Sequence, residues 1–255
     1  MLTLPIEEVA QDARSTGPRM QAWQDRLDYV EGDITLSVIE AFIDESGTHK
    51  EAARVSVAAV IGAPSQWQQF FSHWGDKHFH AKENKYSPLK LTLLDAMQQG
   101  ELESFVAWVE TKDFHSHASA HFKSGLGNAY AVCAFASALG VCKFCKDNNL
   151  GKVSFVIEEG QPNVEFVQSA LDYMKTKDRY GIASVAVAKK KDCVQLCTAD
   201  FVAHSTSTDN EWFGHLWDTG RLSQEHITAE KLTRMSLQIT EGLRLMRRER
   251  RLVRS

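Results

Sequence analysis

The chain has 255 residues, 43% hydrophobic and 24% charged, which is typical of a folded protein and excludes a disordered one. A net charge of -4 and a pI near 6.2 exclude a protein coated in positive charge. The five cysteines are odd in number and lie in apolar stretches, which favours reduced thiols over a disulfide framework. No apolar run approaches the roughly 18 residues of a membrane span, and the chain does not start like a signal peptide. We therefore expect a cytoplasmic protein without a membrane partner.

The first strong signal is a ten-residue stretch that ends at Gly47. Its apolar, β-branched run predicts a buried strand over about residues 37–45, which Ser-Gly then ends. Asp44 and Glu45 lie at the end of this strand, where the interior of a sheet opens to solvent. Because a buried carboxylate without a partner is costly, we interpret the two acids as part of a metal site. An ordinary strand-to-turn transition is the alternative, since Asp and Ser favour turns.

The segments on either side of this strand are more ordinary. Residues 1–36 are mixed and include one amphipathic helical pattern over 21–30. A second strand over 54–61 predicts a β-hairpin with the first. Residues 113–122 favour a strand with its histidines on one face. Between these two strands the apolar spacing predicts three helical segments: 65–74, 88–97 and 102–109.

The second half of the chain alternates between helix and strand. Residues 125–149 are apolar on nearly every side, which predicts a buried helix. A strand over 152–158 then ends, like the first, in acids followed by glycine. The later segments are a helix over 163–177, a strand over 182–188, and helices over 195–203, 211–216 and 229–251. This order predicts an α/β fold with a mixed sheet flanked by helices, because strand–helix–strand crossovers imply parallel neighbours.

Three acids stand out from this pattern. Asp44 and Glu158 end apolar strands, and Asp200 lies within an apolar helical stretch. Convergent carboxylates repel one another and are most simply reconciled by a hard cation with oxygen ligands, Mg²⁺ or Mn²⁺. Two such ions about 4 Å apart can hold the attacking and leaving oxygens of a phosphodiester displacement. These acids therefore predict nuclease-type hydrolysis; capping a helix or pairing with a basic residue is the alternative for each.

Four segments together resemble the markers of the domain of unknown function 3800 family. They are, in order, Ile43-Asp44-Glu45-Ser46-Gly47, Phe79-His80-Ala81-Lys82-Glu83, Glu158-Glu159-Gly160, and Lys190 with Gln195-Leu196-Cys197-Thr198-Ala199-Asp200. The resemblance covers about residues 38–205, and its first and last segments are fairly specific at this separation. It implies a ribonuclease-H-like sheet and a metal-dependent nuclease.

The resemblance also implies roles for individual residues. The matched acidic positions, which would hold Mg²⁺ or Mn²⁺, are Asp44, Glu158 and Asp200. The further candidate catalytic residues are Glu45, His80 and Glu83, with Glu159 beside them. We expect an N-terminal appendage (1–36), a ribonuclease-H-like core (37–205) and a C-terminal helical extension packed on the core (206–255).

The predicted function is hydrolysis of nucleic acid, either DNA or RNA, through a carboxylate-held metal. The alternative is a non-catalytic module on the same fold that binds nucleic acid or protein. Its arginine-rich C-terminus, residues 244–254, could contact a nucleic-acid backbone or be a solvated helix end. The C-terminal helices could also bind a protein partner or a second copy of the chain.

Three other groups of side chains have weaker signals. Lys190 and Lys191 are candidate contacts to substrate phosphate, with a solvated charge run as the alternative. Two cysteine pairs, Cys142–Cys145 and Cys193–Cys197, have a spacing that suggests a zinc site, but both pairs lie in apolar helical stretches. His115, His117 and His121 could gather as zinc ligands, although an exposed polar strand face explains them more simply.

Overall fold

The computed structural model describes residues 38–49, 51–84, 88–161, 163–208 and 211–238. The helical pattern over 21–30 and the arginine-rich segment 244–254 lie outside the described residues.

A six-stranded mixed sheet forms the centre of the molecule. Its strands are β1 (Ile39–Ser46), β2 (Arg54–Gly62), β3 (Glu103–Glu110), β4 (Val153–Glu158), β5 (Ile182–Ala188) and β6 (Leu222–His226). Their order across the sheet is β5-β4-β1-β2-β3-β6. Strand β2 is antiparallel to both β1 and β3, whereas the β1–β4, β4–β5 and β3–β6 pairs are parallel. The prediction of an α/β fold with a mixed sheet is confirmed.

Helices cover both faces of this sheet. They are α1 (Pro64–Trp74), α2 (Pro88–Gln99), α3 (Thr111–His117), α4 (Ala120–Leu126), α5 (Ala129–Asp147), α6 (Val164–Lys175), α7 (Leu196–Thr208), α8 (Glu211–Asp218) and α9 (229–238). One apolar cluster packs five helices on one face of the sheet: α3, α4, α5, α6 and α9. A second cluster packs α1, α2, α7 and α8 on the opposite face. Strand β1 is therefore buried on both sides, which explains its continuous apolar run.

Helix α5 lies deep in the first of these layers. It is apolar enough by length and composition to cross a membrane, but 78% of its most apolar window is buried inside the protein. The hydroxyl of Ser137 on this helix donates to the carbonyl of Val57 at 2.7 Å and accepts from the amide of Ala107 at 3.0 Å. A buried hydroxyl that is satisfied in this way ties the helix to β2 and β3.

Two predicted elements are wrong. The segment 102–109, predicted as helix, is strand β3, and the segment 113–122, predicted as strand, forms parts of α3 and α4. Leu102, Phe105, Val106 and Val109 do have helical spacing, but a strand that is buried on both faces needs no alternation. The second segment forms two short helices that meet at extended Ala118 and Ser119, and the Ser119 hydroxyl caps the second helix by accepting from the Phe122 amide.

The C-terminal part of the chain contributes to the sheet. Helix α7 runs on to Thr208, past the boundary expected at residue 205, and β6 pairs with β3. The sequence pattern predicts no strand over 222–226. This segment, Leu-Ser-Gln-Glu-His, is short, polar and at the edge of the sheet, so it lacks the apolar alternation that predicts strands.

A candidate metal centre at the end of the central strands

The parallel pairing of β1 with β4 places two acids side by side. Ile43 pairs with Ile157, so the next residues along each strand, Asp44 and Glu158, lie together where the strands end. Neighbouring residues in register on parallel strands point to the same face of a sheet. For Asp44 and Glu158 this is the face that α7 covers, because Phe42 and Val156, two residues earlier, both pack in that layer.

Helix α7 supplies the third acid, Asp200. The helix is fixed against β2 because Ser56 Oγ donates to the Ala203 carbonyl at 2.6 Å and Arg54 Nη1 donates to the Thr206 carbonyl at 2.8 Å. Asp200 is 4% exposed on this buried helix. Its Oδ2 accepts a hydrogen bond of 2.8 Å from the backbone amide of Ala81. This bond links the acid to the 79–83 segment.

Lys190 lies between the three carboxylates. Its Nζ is 2.8 Å from Asp44 Oδ2, 3.3 Å from Glu158 Oε1 and 3.4 Å from Asp200 Oδ2. Because each oxygen contacts the same nitrogen, the three acids lie well inside the roughly 10 Å over which acids can share a two-metal site. The predicted acids thus converge, and they do so around an ammonium group.

Glu45 adds a fourth carboxylate. One oxygen each from Asp44, Glu45 and Glu158 lies within 4.8 Å of the others. The Glu45 amide donates to Asp44 Oδ1 at 2.7 Å. Among the described residues, Asp44 Oδ2 and Glu45 Oε2 are buried oxygens with no hydrogen-bond partner, although Asp44 Oδ2 keeps its ion pair with Lys190. Clustered, buried oxygens that lack hydrogen bonds are the donor set that a hard cation requires.

Burial and mutual repulsion shift the protonation of these groups. Burial, followed by the hydrogen bond to Glu158, raises the pKa of Asp44 well above its ordinary value. Burial and the Glu158 charge raise the pKa of Glu45 to about 7. Burial also acts to raise the pKa of Glu158, but the hydrogen bond from Asp44 and the Lys190 ammonium outweigh it and the pKa is lowered. Of these two neighbouring carboxyls, Glu158 therefore ionises more readily than Asp44.

The pKa of Lys190 is raised although the side chain is largely buried. Burial alone would lower it, but the negative charges of Asp44 and Asp200 outweigh that effect. The side chain is therefore an ammonium ion at neutral pH, and it neutralises part of the charge of the cluster.

A groove of about 920 Å³ opens over this cluster. The acids Glu45, Glu158 and Asp200 line it together with Lys190. The groove is also lined by three basic side chains, three histidines, two further acids and one tryptophan: Arg54, Lys82, Lys90, His49, His80, His204, Glu51, Glu211 and Trp212. The groove thus places both acidic and basic side chains around the carboxylate cluster.

Some predicted site residues belong to this groove and others do not. His80 lines it, with Nδ1 3.8 Å from Asp200 Oδ2 and its side chain 47% exposed. Glu83 and Lys191 are exposed and do not line it. Glu159 is also exposed and lies 3.8 Å from Lys189. The structure thus brings His80 and Glu45 to the three acids but leaves Glu83 and Lys191 outside.

Two residues near the site were not singled out in the sequence. The Tyr130 hydroxyl on α5 is buried without a hydrogen-bond partner among the described residues, and burial followed by the negative charge of Glu45 raises its pKa. His204 on α7 lines the groove, with Nδ1 3.4 Å from Ser46 Oγ. Both lie in apolar helices whose pattern explains them as core residues, so periodicity gave no signal for either.

The alternative zinc sites find no support in the described residues. Cys142 and Cys145 lie in the layer of α5, and Cys197 lies in the opposite layer with Cys193 packed against it, so the sheet separates the two pairs. The histidines proposed for one strand face lie instead on α3 and α4. In the part of the chain that the structure describes, the acids around Asp44 are the one group with metal-ligand spacing.

Comparison with known proteins gives a distant structural likeness. No model of a protein family matches the sequence, and a search of curated proteins finds no match. Ribonuclease HII of Archaeoglobus fulgidus, solved in complex with PCNA, is 13% identical with a TM-score of 0.43; the match covers 72% of this chain and 78% of that one. Ribonuclease H2 of Pyrococcus horikoshii OT3 is 12% identical with a TM-score of 0.43, over 71% and 76% of the two chains. At these values neither solved structure identifies a family or a reaction for this chain.

Proposed function

We propose that the chain is a divalent-metal-dependent nuclease, and that Asp44, Glu158 and Asp200 hold its metal with Glu45 beside them. The observation that carries the proposal is the convergence of acids from β1, β4 and α7 on one point at the floor of an open groove. The ligands are all carboxylate oxygens, which favours Mg²⁺ or Mn²⁺ over softer ions.

The metal would activate water and stabilise the charge that develops on the phosphate. The chain's own residues supply the rest of the chemistry. His80 is half-exposed beside Asp200 and could pass a proton to the leaving oxygen. Lys82 is exposed and lines the groove, where its charge attracts a phosphodiester backbone. A substrate of either DNA or RNA fits this arrangement.

One observation favours the alternative, a non-catalytic binding module. The Lys190 ammonium already neutralises part of the charge of the acids at the centre of the cluster. A chain with such an internal ion pair could bind a polyanion through its groove and never take up a metal. Assignment to the domain of unknown function 3800 family, a cytoplasmic location and association through the C-terminal helices remain predictions.

The test is Mn²⁺ titration by calorimetry, followed by cleavage of mixed DNA and RNA substrates, for the wild type, Asp200→Asn and Glu83→Gln. Glu83 is the matched control, because it is an exposed carboxylate of the 79–83 segment beside Asp200 and does not line the groove. A nuclease should lose metal binding and cleavage in Asp200→Asn alone. A wild type that binds nucleic acid equally well in chelator and never cleaves it would support the binding module.

A further inference from the structure

Lys190 is placed where a metal would have to bind. It lies in the short turn Lys190–Asp192 that joins β5 to α7, and its side chain is 18% exposed. Its ammonium contacts one oxygen from each of Asp44, Glu158 and Asp200, which come from three separate elements. These are the oxygens that the proposed metal site requires.

We propose that Lys190 is an internal counter-ion that holds the metal position and is displaced when a divalent cation binds. The inference rests on the proposed metal site and adds a competitor to it. A Mg²⁺ ion sits about 2.1 Å from each ligand oxygen. An ammonium in contact with the same oxygens would overlap with that ion, and two cations so close together repel each other. Lys190 and a metal therefore cannot occupy the centre together.

The side chain has a route out. Lys190 lines the groove, so its flexible four-carbon stem can swing toward solvent while the backbone stays in place. The turn itself is held by the amide of Asp192, which donates to the Lys189 carbonyl at 2.9 Å, and by the amide of Cys193, which donates to the Lys190 carbonyl at 3.3 Å. Displacement would leave the ammonium in the groove, beside the path of an anionic ligand.

A permanent structural ion pair predicts different behaviour. If Lys190 only held the acids together, its removal would loosen the site and weaken metal binding. If it competes with the metal, its removal strengthens metal binding. Weaker binding therefore identifies the structural role, whereas stronger binding together with a change at the Lys190 side chain itself identifies displacement.

The first experiment is calorimetric Mn²⁺ titration of the wild type, Lys190→Met and Lys189→Met. Lys189 is the matched control, because it lies next in the chain, loses the same charge and, among the described residues, forms its ion pair with exposed Glu159. We expect Lys190→Met to bind Mn²⁺ about tenfold more tightly or better, and Lys189→Met to bind like the wild type. Equal or weaker binding by Lys190→Met would overturn the counter-ion proposal and leave the metal site standing. No binding by any of the three would overturn the metal site itself.

The second experiment needs no variant and covers the case in which Lys190→Met does not fold. The wild type is acetylated with an N-hydroxysuccinimide ester in chelator and in saturating Mn²⁺, and the rate at each lysine is followed by mass spectrometry. We expect Mn²⁺ to increase labelling of Lys190 several-fold and to leave Lys189 unchanged. An unchanged Lys190 rate in a protein that binds Mn²⁺ would show that the ammonium stays in place, which overturns the proposal.

Discussion

Glu45→Gln should change how the stability of the chelator-treated protein depends on pH. Glu45 is 9% exposed at the end of β1, beside Asp44 and Glu158. Burial and the neighbouring charge of Glu158 raise its pKa from 4.5 to about 7. In the unfolded chain neither effect operates, and the group titrates near its ordinary value.

The sign and the size of the effect follow from this shift. Between about pH 4.5 and 7 the folded chain keeps a proton on Glu45 that the unfolded chain has lost. The free energy of unfolding therefore falls as pH rises through this window and levels off above it. A shift of this size corresponds to roughly 3 kcal/mol. Glutamine cannot ionise, so the variant should be more stable than the wild type above pH 7 by up to about 3 kcal/mol.

The assay is urea denaturation of both proteins in chelator at pH 5 and pH 8, with Glu159→Gln as the control. Glu159 directly follows β4 at the same end of the sheet, but its side chain is 49% exposed. The wild type and the control should lose stability between the two pH values, and Glu45→Gln should lose distinctly less. Parallel losses in all three proteins would refute the claim that the buried Glu45 carboxyl is under electrostatic strain.

Three further predictions concern packing around the site. Ser137→Ala removes the hydroxyl that bridges β2 and β3, and should lower the free energy of unfolding by about 1–3 kcal/mol in denaturant titration. Gly47→Ala would place a Cβ 1.9 Å from the Arg54 carbonyl oxygen at a residue whose φ is 79°. Gly160 also has a positive φ but has open space around it, so Gly47→Ala should melt at a clearly lower temperature than Gly160→Ala. Equal melting temperatures would contradict the clash. Of the five cysteines, all of which lie in described residues, Cys193 alone is not buried. An aromatic disulfide reagent should therefore label one thiol of the native chain quickly and the other four only on unfolding. Rapid labelling of several thiols in the native chain would contradict the packing of α5 and α7.

The three central acids could be predicted because their signals are local. When a buried strand ends in an acid, the carboxylate must lie at the edge of the sheet, and it needs a partner because a buried, unpaired charge is costly. Parallel pairing then places the ends of β1 and β4 together, which brings Asp44 beside Glu158. Asp200 was recognisable because a single acid on an otherwise apolar helix demands an explanation. The convergence of these acids could therefore be predicted from the strand and helix pattern without knowing the positions of individual side chains.

The role of Lys190 could not be predicted in the same way. Lys189, Lys190 and Lys191 form a charge run, and such runs are usually solvated. Two of the three lysines are indeed exposed, and only the turn that follows β5 directs Lys190 to the acids. The direction of one long side chain depends on tertiary structure, so neither composition nor periodicity predicts it. The same limit applies to the Tyr130 hydroxyl, which lies on a helix whose pattern indicates only burial.

The acidic cluster neutralises its charge in three separate ways. The pKa of Asp44 is raised, the pKa of Glu45 is raised to about 7, and Lys190 contributes an ammonium. Well-packed apolar side chains would remove the need for all three at lower cost, since buried ion pairs rarely improve stability over apolar replacements. A site built only for folding would therefore have no need of these groups at the floor of a groove. The arrangement is understandable if a divalent cation replaces protons and ammonium together, because one ion then satisfies oxygens that the folded chain leaves without hydrogen bonds.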